Sequence, residues 1–210
     1  MSEKIKFADT FDLSRRDLLK VTMAGLLTGA AANLSSRLPS ARAGETGVGG
    51  TKVLIIYFSR SGNTREIANQ IHEIIGGDIT ELQTVEPYPD EYDAVTKQAK
   101  QELNSGYKPA LKTKVENVWS FEVIFVGSPN WWSTISSPVR TFLSEYDLSG
   151  KSIAPFITHE GSGLGRSVTD IATLCPNSTM LSGLAVRGRD AKTAQGQVAE
   201  WLHKLGNKGA

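Results

Sequence analysis

The chain has 210 residues, with 23 Lys and Arg against 22 Asp and Glu and a formal net charge of +1. Seven of those basic and four of those acidic residues precede Gly44, so the remainder carries 16 positive and 18 negative charges, a formal −2 that lacks the basic footprint of a nucleic-acid binder. The single cysteine, Cys175, excludes an intramolecular disulfide and reads as a core thiol, with no basic residue close in sequence to activate it.

The first segment is expected to direct the chain rather than to fold. Ser14 to Lys20 (SRRDLLK) places paired arginines before an uncharged stretch from Val21 to Ser36, and Ala41-Arg42-Ala43 supplies a small-x-small cleavage pattern. Residues 1–43 thus resemble a twin-arginine signal peptide, with Leu18 where phenylalanine is commoner, and 44–51 read as a short linker. Thr22, Thr28, Asn33, Ser35 and Ser36 dilute the apolar stretch, while a spanning helix wants about 20 predominantly apolar residues. The expectation is export to the periplasm or cell exterior with no stable membrane insertion after cleavage. Residues 52–206 are then about the size of one domain.

Val53 to Phe58 is apolar without alternation, which predicts a central strand of a parallel sheet covered on both faces. The hydroxyl-rich loop Ser59, Arg60, Ser61, Gly62, Asn63, Thr64 follows, and Ile67, Ala68, Ile71, Ile74 and Ile75 then keep helical spacing up to Gly76-Gly77. Hydroxyls, one turn-permitting glycine and the open amino end of a helix together make an anion cradle. Gly62 is the only glycine between Phe58 and Ile75, so neither the triphosphate loop nor the dinucleotide fingerprint fits. A monoester phosphate held by neutral donors does fit, with Arg60 and Arg65 as supplements; an ordinary strand-to-helix turn is the alternative.

Farther along, Asp78 to Gln83 predicts a second strand and Glu86 to Asp90 (EPYPD) a break before a helix from Tyr92 to Leu103. Phe121 to Gly127 and Ser152 to Thr158 read as strands, Val139 to Tyr146 and Ser167 to Leu174 as helices. Thr179 to Val186 reads as a last strand and Ala191 to Leu205 as a terminal helix. Strand and helix alternate throughout, which predicts an α/β fold: an open, doubly wound parallel sheet with helices on both faces. Ligands of such sheets bind beyond the carboxyl ends of the strands. Three loops belong on that rim: Ser59 to Thr64, Ser128 to Ser133 with its adjacent Trp131 and Trp132, and His159 to Gly163. Two neighbouring indoles cannot easily both fold into the core, so at least one is expected at a flat ligand. His72, His159 and His203 have no metal-ligand spacing.

The loop YFSRSGNTR, the segment VGSPNWWSTISSPVRTFL and the run GKSIAPFITHEGSG closely resemble the bacterial flavodoxin-like domain group, over about Lys52 to Leu205. The resemblance implies FMN as cofactor. It assigns Ser59, Arg60, Ser61, Gly62, Asn63 and Thr64 to the phosphate, and Pro129, Asn130, Trp131 and Trp132 to the isoalloxazine. Thr158, His159, Glu160, Gly161, Ser162 and Gly163 would border the ring's other side or its pyrimidine edge. Arg60 departs from the usual neutral loop, with its charge directed either to the phosphate or to solvent. The formal −2 is also weaker than the acidic surface of electron-carrier flavodoxins.

Three functions stay open from these residues. The first is an exported redox protein passing electrons between a partner protein and another partner or a small acceptor such as a quinone, with no catalytic residue of its own. The second is an FMN-dependent NAD(P)H:quinone or other acceptor reductase, and the third a flavin-free module for a phosphorylated or aromatic metabolite.

Overall fold

A computed structural model describes residues 51–207. The expected signal peptide (1–43) and all of the linker except Thr51 lie outside the described residues. The strands are β1 (Val53–Tyr57), β2 (Asp78–Glu81), β3 (Val123–Trp131), β4 (Thr134–Ile135), β5 (Ser152–His159), β6 (Thr179–Met180) and β7 (Leu184–Arg187). The helices are α1 (Asn63–Ile75), α2 (Tyr92–Ser105), α3 (Ser137–Glu145), α4 (Ser167–Leu174) and α5 (Gln195–Asn207). No helix among the described residues is long and apolar enough to cross a membrane.

The sheet runs β2-β1-β3-β5-β6, with β7 also on β5, and every pair in it is parallel; only the short β4 pairs antiparallel, with β3. The chain crosses from β1 outward to β2 and then back past β1 to β3. The switch in direction between β1 and β3 leaves a crevice at their carboxyl ends. This is the expected doubly wound α/β fold.

Alternation along each strand builds the two covered faces. Val53, Ile55, Tyr57, Phe125 and Phe156 point to one side, where Ile67 and Ile71 of α1 and Val198, Trp201 and Leu202 of α5 cover them. Leu54, Ile56, Ile124, Val126 and Ile153 point to the other, under Val139, Phe142 and Leu143 of α3 and Ile171 of α4. Each fully buried side chain of this size contributes about 1.5–3 kcal/mol. Cys175 belongs to the second cluster, and burial pushes its thiol up to about 11, which leaves it unreactive.

Two elements differ from the sequence expectation. The last strand is not continuous: β6 and β7 pair with different parts of β5, leaving Ala154 and Pro155 unpaired on that edge. Pro155 is the physical reason. Leu181 donates its backbone N–H to the Ile153 carbonyl, so the backbone of alternate residues, Ile153 and then Pro155, faces that edge, and proline has no N–H to continue the ladder. The terminal helix also starts later than expected, at Gln195, because Gly188–Thr193 form a 3-10 turn.

A third difference bears on the site. The stretch read as a loop after the third strand continues as β3 to Trp131, pairing with β5 as far as Pro129 and Thr158 and then turning back as a hairpin into β4. The paired tryptophans therefore stand on a rigid ribbon.

Candidate functional site

The carboxyl ends of β1, β3 and β5 and the amino half of α2 enclose a half-open cleft of about 620 Å³, a volume within the ordinary range for small-molecule sites. Arg60, Ser61 and Asn63 line it from the β1 loop, and Pro129, Asn130, Trp131 and Trp132 from the hairpin. Thr158, His159 and Glu160 line it from the end of β5.

The β1 loop is preset by its own hydrogen bonds. Gly62 adopts a left-handed φ of 88°, donates its N–H to Ser59 Oγ at 3.1 Å and accepts from the Glu66 N–H at 2.9 Å. No side chain caps α1, so the opening N–H groups of the helix keep their donor capacity and the positive end of its dipole faces the rim. Thr64 is buried beneath, its hydroxyl 2.8 Å from that of Thr158. That bond ties the loop to the end of β5.

The two nearby arginines have separate fates. Arg65 is held by Glu81 through a bidentate pair at 2.8 and 2.7 Å, which raises its pKa and takes its charge away from the loop. The same carboxylate accepts from Tyr57, whose phenol is pushed up to about 12 by burial and by Glu81. Arg60 instead faces the cleft. Its Nη2 donates to the Asp90 carbonyl, and its Cζ lies 5.9 Å from the centre of the Tyr92 ring.

Trp131 and Trp132 play different parts. Trp131 is half-buried and meets Phe58 and Tyr88 edge-on, with centroids 5.5 and 5.0 Å away. Trp132 is 47% exposed and occupies a two-residue turn with Ser133, with φ values of 54° and 64°. Such turns favour Asn and Gly, and a left-handed residue with a Cβ costs roughly 1–2 kcal/mol. The turn is held from both sides. The Trp132 Nε1 donates to the Thr96 carbonyl at 3.0 Å, Lys100 Nζ sits 4.4 Å from its ring centre, and the Ser133 carbonyl accepts from the Arg166 N–H at 2.7 Å. Gly165 packs so closely that a Cβ there would lie 2.4 Å from the Ser133 oxygen.

Behind the hairpin, the Asp170 carboxylate accepts from Thr134 and from Arg140, the latter at 2.6 Å. Burial opposes its ionisation, yet these hydrogen bonds and the charges of Arg140 and Arg166 hold the carboxyl below the usual range. A depressed folded pKa contributes stability above the unfolded value of roughly 3.9, lost as pH falls through the lower folded value. The melting temperature of the wild type is therefore expected to drop more between about pH 5 and pH 2 than that of Asp170→Asn. Thermal melts across that range check it; parallel curves would remove the carboxylate from the hairpin's support.

Not every expected site residue lines the cleft. Ser59 and Gly62 shape the loop from within, and Thr64 lies under it. Gly161 and Ser162 are exposed beyond the cleft, and the Gly163 carbonyl accepts from Asn130 Nδ2 at 2.9 Å, fixing the Asn130 side chain. Sequence reading missed Tyr92, Val95, Thr96 and Ala99 of α2, and Gly188 after β7. The connections after β2 and β7 emerge on the same rim as the three loops that were chosen, and that topological rule was the available signal. Among the described residues, no group of three His, Cys, Asp or Glu side chains is placed to hold a metal.

A parallel sheet with its switch point between β1 and β3, and an uncapped helix and an aromatic hairpin on the same rim, defines the flavodoxin-like α/β class. The sequence profile of the flavodoxin family matches residues 52–205, and the chain belongs to that family. Among solved structures, a candidate flavoprotein from Bacteroides eggerthii is 28% identical with a TM-score of 0.66, over 74% of this chain and 98% of its own. Another from Bacteroides uniformis is 25% identical with a TM-score of 0.64, over 72% and 99%. A flavoprotein from Lactobacillus acidophilus in complex with FMN shares the fold at 24% identity and a TM-score of 0.59, over 72% and 99%. A search of curated proteins finds no match.

Proposed function

We propose that this chain is an exported FMN-binding redox protein that passes electrons between partners. One observation carries the reading. A single half-open cleft joins the uncapped amino end of α1 to two adjacent indoles, so one ligand can place a phosphate at the first and a flat ring beside the second. FMN has that shape, and the flavodoxin fold and the FMN complex of the Lactobacillus acidophilus protein support the choice.

The residues present fit the group. His159 Nδ1 is buried without a hydrogen-bond partner at the cleft wall, a polar atom suited to the heteroatom edge of a flavin. When bound, FMN supplies a ring that accepts and returns one or two electrons. The chain's own part is to hold and shield it. The α1 amino end and Ser61 receive the phosphate, Trp131 and Trp132 cover apolar ring surface, and Asn130 is fixed by the Gly163 carbonyl as a positioned amide. The exposed Glu160 is the one carboxylate lining the cleft among the described residues, and it disfavours negative charge on the ring.

Export rests on the paired arginines, the weakly apolar stretch and Ala41-Arg42-Ala43, a pattern that carries folded protein and therefore a cofactor already loaded. The partner is a redox protein or a small acceptor such as a quinone. Titration of the mature protein with FMN is expected to quench flavin fluorescence to a one-to-one end point; no quenching refutes the proposal. Anaerobic mixing with NADPH separates carrier from reductase, because bleaching of the bound flavin within seconds would favour the reductase.

A further inference from the structure

The aromatic side chains around the cleft differ in the charges set beside them. Tyr92 faces a guanidinium, with Arg60 Cζ 5.9 Å from its ring centre, and Trp132 faces an ammonium, with Lys100 Nζ at 4.4 Å. A neighbouring cation opposes the positive charge that would form if such a ring lost an electron. Trp131 has a different neighbour. Its ring meets Tyr88 edge-on at 5.0 Å, and the Tyr88 hydroxyl donates to Glu102 Oε2 at 2.6 Å. Glu102 is 5% exposed and its other oxygen accepts from Gln98 Nε2 at 2.9 Å, so the carboxylate is fixed in place as a proton acceptor. In the resting protein the phenol keeps its proton, because burial and the adjacent carboxylate hold it well above its usual range. An oxidised phenol is by contrast a strong acid, so Tyr88 gives up an electron most readily where a base already accepts its hydrogen bond.

We propose that Trp131, Tyr88 and Glu102 form an oxidisable relay, which returns an electron to the cleft wall after a one-electron oxidant in the cleft has taken one from Trp131. The oxidant gains one electron from the indole. Tyr88 then gives one electron to the oxidised indole and its phenolic proton to Glu102, and any proton the indole has shed to water returns as the ring is reduced. The net products are a reduced oxidant, an intact indole, a neutral tyrosyl radical on Tyr88 and a protonated Glu102. The pair thereby loses its one negative charge instead of gaining a positive one, so no unpaired charge is left buried. The relay does not need FMN. It stores an oxidising equivalent in the chain itself and spares the indole that faces the ligand.

Pulse radiolysis with the azide radical, a one-electron oxidant of indoles, tests it on the mature protein without added flavin. Trp119→Phe and Trp132→Phe remove the two exposed indoles, and Trp201 is only 6% exposed, which leaves Trp131 as the accessible one. On that background the indole-radical band is expected to decay as a tyrosyl band grows at the same rate. Tyr88→Phe keeps the ring and removes only the hydroxyl; it should abolish that growth and leave the indole radical at least about tenfold longer-lived. Glu102→Gln keeps the size and removes the base, and should slow the growth by roughly tenfold or more. The growth should also be slower in heavy water on the background protein itself, a readout that packing of Tyr88 would not move. Tyrosyl growth that persists in Tyr88→Phe, or a rate untouched by Glu102→Gln and by heavy water, would overturn the inference. FMN titration tests the cofactor separately, so the failure of either leaves the other standing.

Discussion

Thr64→Leu is expected to abolish FMN binding and to lower stability together. Thr64 is 1% exposed and its hydroxyl lies 2.8 Å from that of Thr158, so the substitution inserts bulk where there is none to spare and leaves the buried Thr158 hydroxyl unpaired. Overpacking of a filled site costs about 1–3 kcal/mol, and an orphaned buried hydroxyl about 1–3 kcal/mol more. Thr64 directly follows the β1 loop, so relief of the crowding is expected to displace the Ser61 and Asn63 positions that line the cleft. Thr64→Ser, which keeps the hydroxyl and removes only a methyl, is expected to retain binding. FMN titration and thermal melting of both variants check the pair of effects; full FMN affinity in Thr64→Leu would separate this residue from the cradle.

The tryptophans should respond differently in stability and alike in binding. Trp131→Ala removes the ring that packs edge-on against Phe58 and Tyr88, and for a half-buried indole the loss is roughly 2–3 kcal/mol. Trp132→Gly removes a hydrogen bond worth about 0.5–1.5 kcal/mol and a cation–π contact worth about 0.5–1 kcal/mol. It also relieves a left-handed conformation that costs about 1–2 kcal/mol. The terms nearly cancel, so Trp132→Gly is expected to melt close to the wild type while binding FMN at least about tenfold more weakly. Denaturant melts paired with FMN titrations read both. A Trp132→Gly variant that binds FMN normally would show that the strained turn serves folding alone.

The sheet was legible because its strands announce themselves. Val53 to Phe58, Phe121 to Gly127 and Ser152 to Thr158 are apolar runs too continuous for a one-sided strand, and the isoleucine spacing after Thr64 leaves only a helix. The hairpin at Trp131 was not, because its two-residue turn carries neither glycine nor asparagine and is held by partners far away in sequence: Thr96, Lys100 and Arg166. The cleft-lining role of α2 was hidden for a related reason. Only Val95, Ala99 and Glu102 of that helix are buried, a seam too sparse to mark an inward face by periodicity. Glu102 is buried because the Tyr88 hydroxyl donates to it at 2.6 Å, and burial together with that carboxylate holds the Tyr88 phenol well above its usual range. A charged residue in a buried seam reads as solvent-facing until its partner is known.

The cleft between the β1 loop and the tryptophan hairpin is expected to hold FMN in the living cell. The visible absorption spectrum of the protein purified from its native host, without added cofactor, tests it most directly. Two flavin bands are expected, with an equal amount of FMN released on denaturation. A colourless protein that also fails to take up added FMN would contradict it.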